Sequence, residues 1–393
     1  MRLLAARLTT AAILTMTSVA AGSASADTPE PTPAPLITSA NAIPGRYIVT
    51  LDKSIDPVTF AAEVGVKPTF TYAAALNGFA TPLSANQLKA ARVTRGVLAV
   101  EEDATVTAPP VPAAGVGTKS PAASWGLDRI DQRRLPLDGD FSADTSGQGA
   151  TAYILDTGID YTHPDFGGRA RPGFDAIGDG RNGADCNGHG THVAGTVGGT
   201  TFGVARKSTL VSVRVLNCEG SGSLSGVIAG FDWVARNARQ PAVLNASLGG
   251  PRSNAVNNAA TAVSDRGVLP VVAAGNANVD ACTISPASAA RVVTVGATNR
   301  FDEETDFSNW GECLDIYAPG QDIVSAKRGG GSVSLNGTSM AAPHVAGVAT
   351  LYKAQHPNAL PNEVANFLDD ESTKDVVQNL SDNSPDKLFT DGL

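Results

Sequence analysis

Five apolar runs stand out between residues 151 and 297: TAYILD (151–156), LVSVRVL (210–216), AVLNASL (242–248), LPVVAAG (269–275) and RVVTVGA (291–297). They are continuous rather than alternating, so each predicts a strand covered on both faces. Between them apolar positions return at helical spacing, as in SGVIAGFDWVARNA (225–238) and SNAVNNAATAVSDRG (253–267). Strands alternating with helices predict an α/β domain with a doubly wound, mostly parallel sheet. Ligands of such sheets bind beyond the carboxyl ends of the strands, so chemistry is expected just after each run.

The first third of the chain has another texture. GRYIVTLD (45–52) reads as a strand, PVTFAAEVG (57–65) as a short helix, and TFTYAAALNGFATPL (69–83) as two strands around an Asn-Gly turn. SANQLKAARVTRG (84–96) is a helix with Ser84 as its cap, and VLAVEEDATVTA (97–108) is a last strand. That order predicts a small α+β domain of ferredoxin-like type over residues 45–108. Residues 27–44 and 109–124, rich in proline and small residues, read as linkers, the second of them cleavable. Residues 1–26 place Arg2 and Arg7 before an apolar stretch that ends in Ala24-Ser25-Ala26, the order of a secretion signal cut after Ala26. The stretch is too short for a membrane anchor, so a secreted, extracellular chain with no membrane attachment after signal removal is expected. The large domain is expected over residues 118–393.

The 393 residues are 42% hydrophobic, enough to bury a large core. A formal net charge of −9 with no basic run argues against a nucleic-acid partner. Acidity also suits a chain that holds hard cations on carboxylates. Export implies that the four cysteines are paired, and four allow three connectivities.

Polar residues at the run ends carry the candidate chemistry. Asp156 closes TAYILD; an acid at the end of a buried strand is costly without a partner. Asp-Thr-Gly also begins an aspartic-protease loop, but that chemistry needs a second such carboxylate and none is found. His189 and His192 lie in NGHGTHVAGT (187–196); spaced by three with no glutamate between, they do not form the zinc helix of metalloproteases. Glycines on both sides let His189 stand clear as a base, whereas His192 falls inside a helix as a packed residue. Asn276, after LPVVAAG, is either a turn residue or an amide donor to a developing oxyanion. Ser339, in NGTSMAAPHVAG (336–347), is expected to open a helix, with Pro343 tolerated near its first turn. A serine hydroxyl becomes a nucleophile when a base takes its proton and an acid orients that base. Asp156, His189 and Ser339 supply those parts, in the order found in subtilisin.

ILDTGID, HGTHVAGT, AAGN and NGTSMAAPHVAG together resemble the active-site motifs of the subtilisin-like serine proteases, and WGLDRIDQR with the span from about Thr118 onward resembles the proteinase K branch. The resemblance implies a secreted, self-processing serine endopeptidase acting on polypeptides as a monomer. Asp156, His189 and Ser339 would be its triad and Asn276 its oxyanion donor. It implies substrate edges at Gly220, Ser221 and Gly222 and at Ser247, Leu248 and Gly249, with Ala274 and Gly275 beside a roomy, apolar-leaning pocket. It implies the disulfides Cys186–Cys218 and Cys282–Cys313 of the aqualysin-like members. It also implies structural calcium and no organic cofactor: one site on Asp315 with the carbonyls of Ala290 and Val292, another on Asp128, Asp131, Gln132 and Asp138, and a third on Asp179 and Asp185. The second of these reads equally well as a solvated acidic turn. Residues 45–108 resemble the family's inhibitor-like pro-domain, a folding template for the large domain and then its inhibitor. The alternatives are a processing protease selective for paired basic residues and a non-catalytic binding protein of the same fold.

Overall fold

The computed structural model describes residues 32–108 and 123–390. The expected signal (1–26) and nearly all of the linker 109–124 lie outside them. The large domain is built on one sheet of nine strands. From one edge its order is Thr373–Lys374, Lys387–Leu388, Ile316–Pro319, Val293–Thr298, Leu269–Ala273, Ala242–Ala246, Thr151–Asp156, Thr209–Arg214 and Ala170–Asp175. Neighbours run parallel except the first pair.

Both faces are covered, as the continuous apolar runs require. Ala152 and Ile154 point into one core, with the helices His189–Gly198 and Thr338–Gln355. Tyr153 and Leu155 point into the other, with the helices Leu224–Asn237 and Asn254–Asp265. Strand side chains alternate faces, so one uninterrupted apolar run feeds two cores.

The small domain has the ferredoxin-like order. Its sheet reads Val97–Thr107, Ala42–Leu51, Gly78–Pro82, Phe70–Tyr72, all antiparallel, with helices Pro57–Glu63 and Ala85–Val93. Phe60, Val49, Phe79 and Val100 form its own core, whereas Ile48, Tyr72, Ala80, Ala104 and Val106 join the large domain's second core. The stretch read as a linker over 27–44 is corrected here. Leu36–Ile37 pairs with Val100–Glu101 along the edge of Val97–Thr107 that the rest of the small sheet leaves free, and Ala42 pairs with Ala104 on the opposite edge, as the start of the strand Ala42–Leu51. Short, proline-bearing segments can satisfy an edge strand without being long strands themselves.

Carboxylates fasten the two domains at helix starts. Glu101 accepts from Ser253 Oγ at 2.8 Å and Ala255 N at 3.0 Å, and Asp103 accepts from Ser225 N at 3.0 Å and Ser225 Oγ at 2.6 Å. These caps meet donors that the helices cannot satisfy internally. In return, Asp232 Oδ1 of the large domain accepts from the backbone of Ala73, Ala74 and Ala75 at 3.1, 2.7 and 2.8 Å.

Candidate active site

Three run-end residues meet at the carboxyl rim of the sheet. Asp156 ends its strand, and both its oxygens lie on His189 Nδ1, at 2.8 and 3.0 Å. His189 is the first residue of its helix and follows Gly188, whose φ of 116° turns the chain in a way that suits glycine. The helix starts tight against the Asp156 loop: Gly190 N donates to Thr157 Oγ1 at 2.9 Å. Beneath it, Asp185 accepts from Thr157 Oγ1, Asn187 N, Gly188 N, Thr191 N and Thr191 Oγ1 at 2.5–3.0 Å. Burial pushes the Asp185 carboxyl up, and those hydrogen bonds oppose the shift. His189 Nε2 is buried with no hydrogen-bond partner among the described residues.

Ser339 is not the cap of its helix. The helix begins at Thr338 and its cap is Gly337, with a φ of 148°. Nor does Pro343 sit in the first turn. It lies inside the helix, where its missing N–H frees the carbonyl of Ser339, and that carbonyl accepts from Ser247 Oγ at 2.9 Å instead. Ser339 Oγ donates to Ser247 O at 3.1 Å and makes no hydrogen bond to His189. Thr338 N donates to Asn276 Oδ1 at 2.8 Å and Met340 N to Gly337 O at 2.9 Å, which leaves the intervening Ser339 N–H without an acceptor among the described residues. Thr338 Oγ1 also donates to Asn276 Oδ1 at 2.8 Å. With that oxygen doubly engaged, the Asn276 amide nitrogen is left to donate beside the Ser339 N–H.

Thr338 and Asn309 were not singled out from the sequence. Asn309 Oδ1 accepts from Ala277 N and Val279 N, and its Nδ2 donates to Ala274 O at 2.8 Å, so a buried amide staples the Asn276 loop. Its neighbour Ser339 could have pointed to Thr338; nothing local points to Asn309, which is 33 positions from Asn276.

A cavity of about 880 Å³ opens over Ser339 and Asn276, with Leu248, Gly249, Gly275 and Ile284 among its walls. The small domain feeds its last strand into it. Thr105, Val106 and Thr107 pair with Ser223, Gly222 and Ser221. Ala108 N donates to Gly220 O at 2.8 Å, and Thr107 N reaches Gly249 O at 3.5 Å on the other edge.

The cysteines are joined as Cys186–Cys218 and Cys282–Cys313. His192 is buried, its Nε2 on the carbonyls of Ile323 (3.0 Å) and Val333 (3.1 Å). Asp179 and Asp185 do not converge on a cation. Asp179 is held by Arg214 at 2.6 and 2.9 Å, which lowers its carboxyl to about 2, and Asp185 is occupied as described.

The segment with Asp128, Asp131, Gln132 and Asp138 does fit a hard cation. Asp131 Oδ1 is buried with no partner among the described residues. Burial and the charges of Asp138 and Asp128 raise its carboxyl, and Asp128 is raised by burial and by Asp138. Oxygen donors that repel one another within one short segment are what calcium requires. At the other position, crowding by protein atoms that displace water pushes the Asp315 carboxyl up to about 6, and it shares a hollow of about 230 Å³ with Val292, Asp369 and Lys387. Ala290 stands outside that lining, its carbonyl accepting from Thr261 Oγ1 at 2.7 Å.

Comparison with known proteins places this arrangement. Residues 147–392 match the model of the subtilase family, and residues 56–109 match that of the peptidase inhibitor I9. An extracellular serine proteinase of Thermus sp. (strain Rt41A) is 45% identical over 88% of this chain and 90% of its own. An alkaline serine exoprotease A of Vibrio alginolyticus is 45% identical over 86% of this chain, which spans 66% of that protein's length. The crystal structure of a cold adapted subtilisin-like serine proteinase superposes with a TM-score of 0.67 at 48% identity, over 68% of this chain and 97% of that one.

Proposed function

This chain belongs to the subtilase family and is a serine endopeptidase, and from that premise we propose that it is secreted as a self-inhibited precursor. It cuts its own linker, then hydrolyses polypeptides with broad specificity that leans to apolar residues before the cut. The observation that carries this reading is the small domain's last strand, threaded between Ser221–Ser223 and Gly249 toward Ser339. A substrate added to the same two edges is read mainly through its backbone, which favours wide sequence tolerance. The large cavity with Leu248, Ala273 and Ile284 in its walls favours an apolar side chain at the cut.

The chemistry assigned to the site runs as follows. Asp156 fixes the proton of His189 on Nδ1, so the bare Nε2 takes the Ser339 proton as Oγ leaves the Ser247 carbonyl and attacks the amide. Charge developing on the amide oxygen is met by the Ser339 N–H and the Asn276 amide, each such donor being worth about 10²–10³ in turnover. His189 then passes its proton to the departing amine, and water repeats the cycle on the acyl-enzyme. Asp128, Asp131, Gln132 and Asp138 would hold calcium, as would Asp315 with Val292. Bound calcium there would cancel carboxylate repulsion and stiffen the fold, with no part in the bond-breaking step.

Intact mass of secreted wild type beside Ser339→Ala tests the reading. Wild type is expected to lose residues 1–26 and to be cut within 109–124, near Gly117, while Ser339→Ala keeps its linker. Equal linker cutting in both refutes self-processing. A peptide-library profile with a strict need for Lys or Arg before the cut would favour the processing-protease alternative instead.

A further inference from the structure

The inhibitory strand also shows where the other half of a substrate goes. It enters with Thr105–Thr107 along Ser221–Ser223 and its C-terminal end toward Ser339. A substrate in that direction covers these edges with residues before the cut, so residues after the cut leave past His189. A β-hairpin, Ile323–Ala326 with Ser332–Leu335, stands on that side and leads through Asn336 and Gly337 to Ser339. It is seated on the His189 helix: His192 Nε2 donates to its Ile323 and Val333 carbonyls, and Ser325 Oγ donates to His192 O at 2.8 Å.

The hairpin tip is Lys327-Arg328-Gly329-Gly330-Gly331, and it is held in place. Gly329 N donates to Asp160 Oδ2 at 2.9 Å, His163 Nε2 donates to Gly331 O at 2.9 Å, and Lys327 N donates to Gly331 O at 3.1 Å. Positive φ angles of 86°, 108° and 76° at the three glycines make the turn that links the two strands, a conformation that suits glycine. Arg328 Cβ lies 3.8 Å from where a Cβ on Gly188 would stand, one residue before His189. Lys327 and Arg328 are exposed and enter no ion pair among the described residues. Asp160 is the carboxylate in contact with the tip, and its oxygens are taken by Gly329 N and by Thr162 N and Oγ1.

We propose that Lys327 and Arg328 form a cationic subsite for the leaving half of the substrate, selecting polypeptides with Asp or Glu two or three residues after the cut. This rests on the catalytic reading of Ser339 and His189. An extended chain advances about 3.3 Å per residue, so two or three residues carry it from His189 across the tip. The protein's own linker, 109–124, contains no Asp or Glu and one Lys, so this selection serves foreign substrates and not maturation.

The test uses paired internally quenched peptides that differ only in the second and third residues after the cut, Asp/Glu against Lys. Each enzyme is scored by its own ratio of kcat/KM for the two, which cancels differences in active fraction. Wild type is expected to favour the acidic peptide about fivefold to tenfold at low salt, as two exposed charge pairs allow. The preference should shrink in 0.5 M salt, where the Debye length falls to about 4 Å. The doubly substituted Lys327→Glu, Arg328→Glu is expected to reverse it, and Lys327→Gln, Arg328→Gln to bring it near one. A ratio unchanged by charge reversal overturns the subsite. A wild type that cuts its linker yet shows no acidic preference overturns the subsite alone. One that cuts neither linker nor peptide overturns the catalytic reading, and the subsite with it.

Discussion

Replacing Gly190 by alanine should separate the acid from the base without touching either. A Cβ on Gly190 would stand 2.2 Å from Gly158 O and 3.1 Å from Asp156 Oδ1. Ordinary contact begins near 3.4 Å, so the helix start and the Asp156 loop must part by about 1.2 Å. The loop cannot simply yield. Gly158 has a φ of 112°, and its own Cβ position is 2.6 Å from Gly183 O, so it is backed by another strand of backbone. The displacement therefore falls on the 2.8 Å and 3.0 Å contacts between Asp156 and His189. Misplacement of about 1 Å typically costs about 10² in rate, which is roughly 2.7 kcal/mol of transition-state stabilisation. Overpacking should also lower stability by about 1–3 kcal/mol. The assay is kcat and KM on a chromogenic peptide after active-site titration, with a thermal melt alongside. KM should change little, because the substrate edges lie on other segments. Gly226→Ala is the control: its Cβ meets Ser223 Oγ at 3.4 Å and Ala176 Cβ at 3.7 Å, ordinary contacts in a helix. A folded Gly190→Ala enzyme with kcat within threefold of wild type would refute the reasoning.

Three further outcomes follow from the packing. Burial, with the charge of His189, lowers His192 to about 3, and burial lowers His344 to about 4. Both sit near 6.5 when unfolded, so the unfolded chain binds two more protons at pH 5 and stability is lost as pH falls below about 6.5. Two histidines give a slope of about 2.7 kcal/mol per pH unit there; urea unfolding of Ser339→Ala that is flat from pH 6.5 to 4.5 would contradict it. Chelation should lower the melting temperature, since a cation at 100 times its Kd supplies about 2.7 kcal/mol. Asp131→Asn should remove most of that response, and a variant as calcium-sensitive as wild type would deny Asp131 the role of ligand. Asp232→Ala strips the acceptor from Ala73, Ala74 and Ala75, and hydrogen bonds to charged groups are worth about 1.5–3 kcal/mol each. Activity should then appear with a shorter lag after linker cutting; an unchanged lag would show that this contact does not hold the inhibitor.

The amino-acid order alone placed the elements and the chemistry that is local to them. Continuous apolar runs predicted strands at 151–156, 242–248 and 269–275, and the structure has strands Thr151–Asp156, Ala242–Ala246 and Leu269–Ala273 within them. The same runs pointed to Asp156 and Asn276, because a polar residue that ends a buried strand falls on the rim where ligands reach it. Local rules failed where the deciding partner was distant. Ser339 reads as a cap and Pro343 as harmless, until Gly337 takes the cap and Ser247 takes the carbonyl that Pro343 frees. The segment before Gly45 reads as linker, until Leu36–Ile37 takes one edge of Val97–Thr107 and Ala42 lengthens the strand on the other.

The assignment of hydrogen-bond acceptors was decided by tertiary structure. Asp185 reads as a calcium ligand, Asp232 as one position of a helix and Asn309 as nothing in particular, yet each gathers backbone N–H groups in the structure. Asp185 serves the start of the histidine helix, Asn309 the Asn276 loop, and Asp232 the other domain. Hydrophobic period is a property of neighbours along the chain and survives in one dimension. Which unpaired donors meet which carboxylate depends on how helix ends and loops are brought together, and that is set only once the cores are packed.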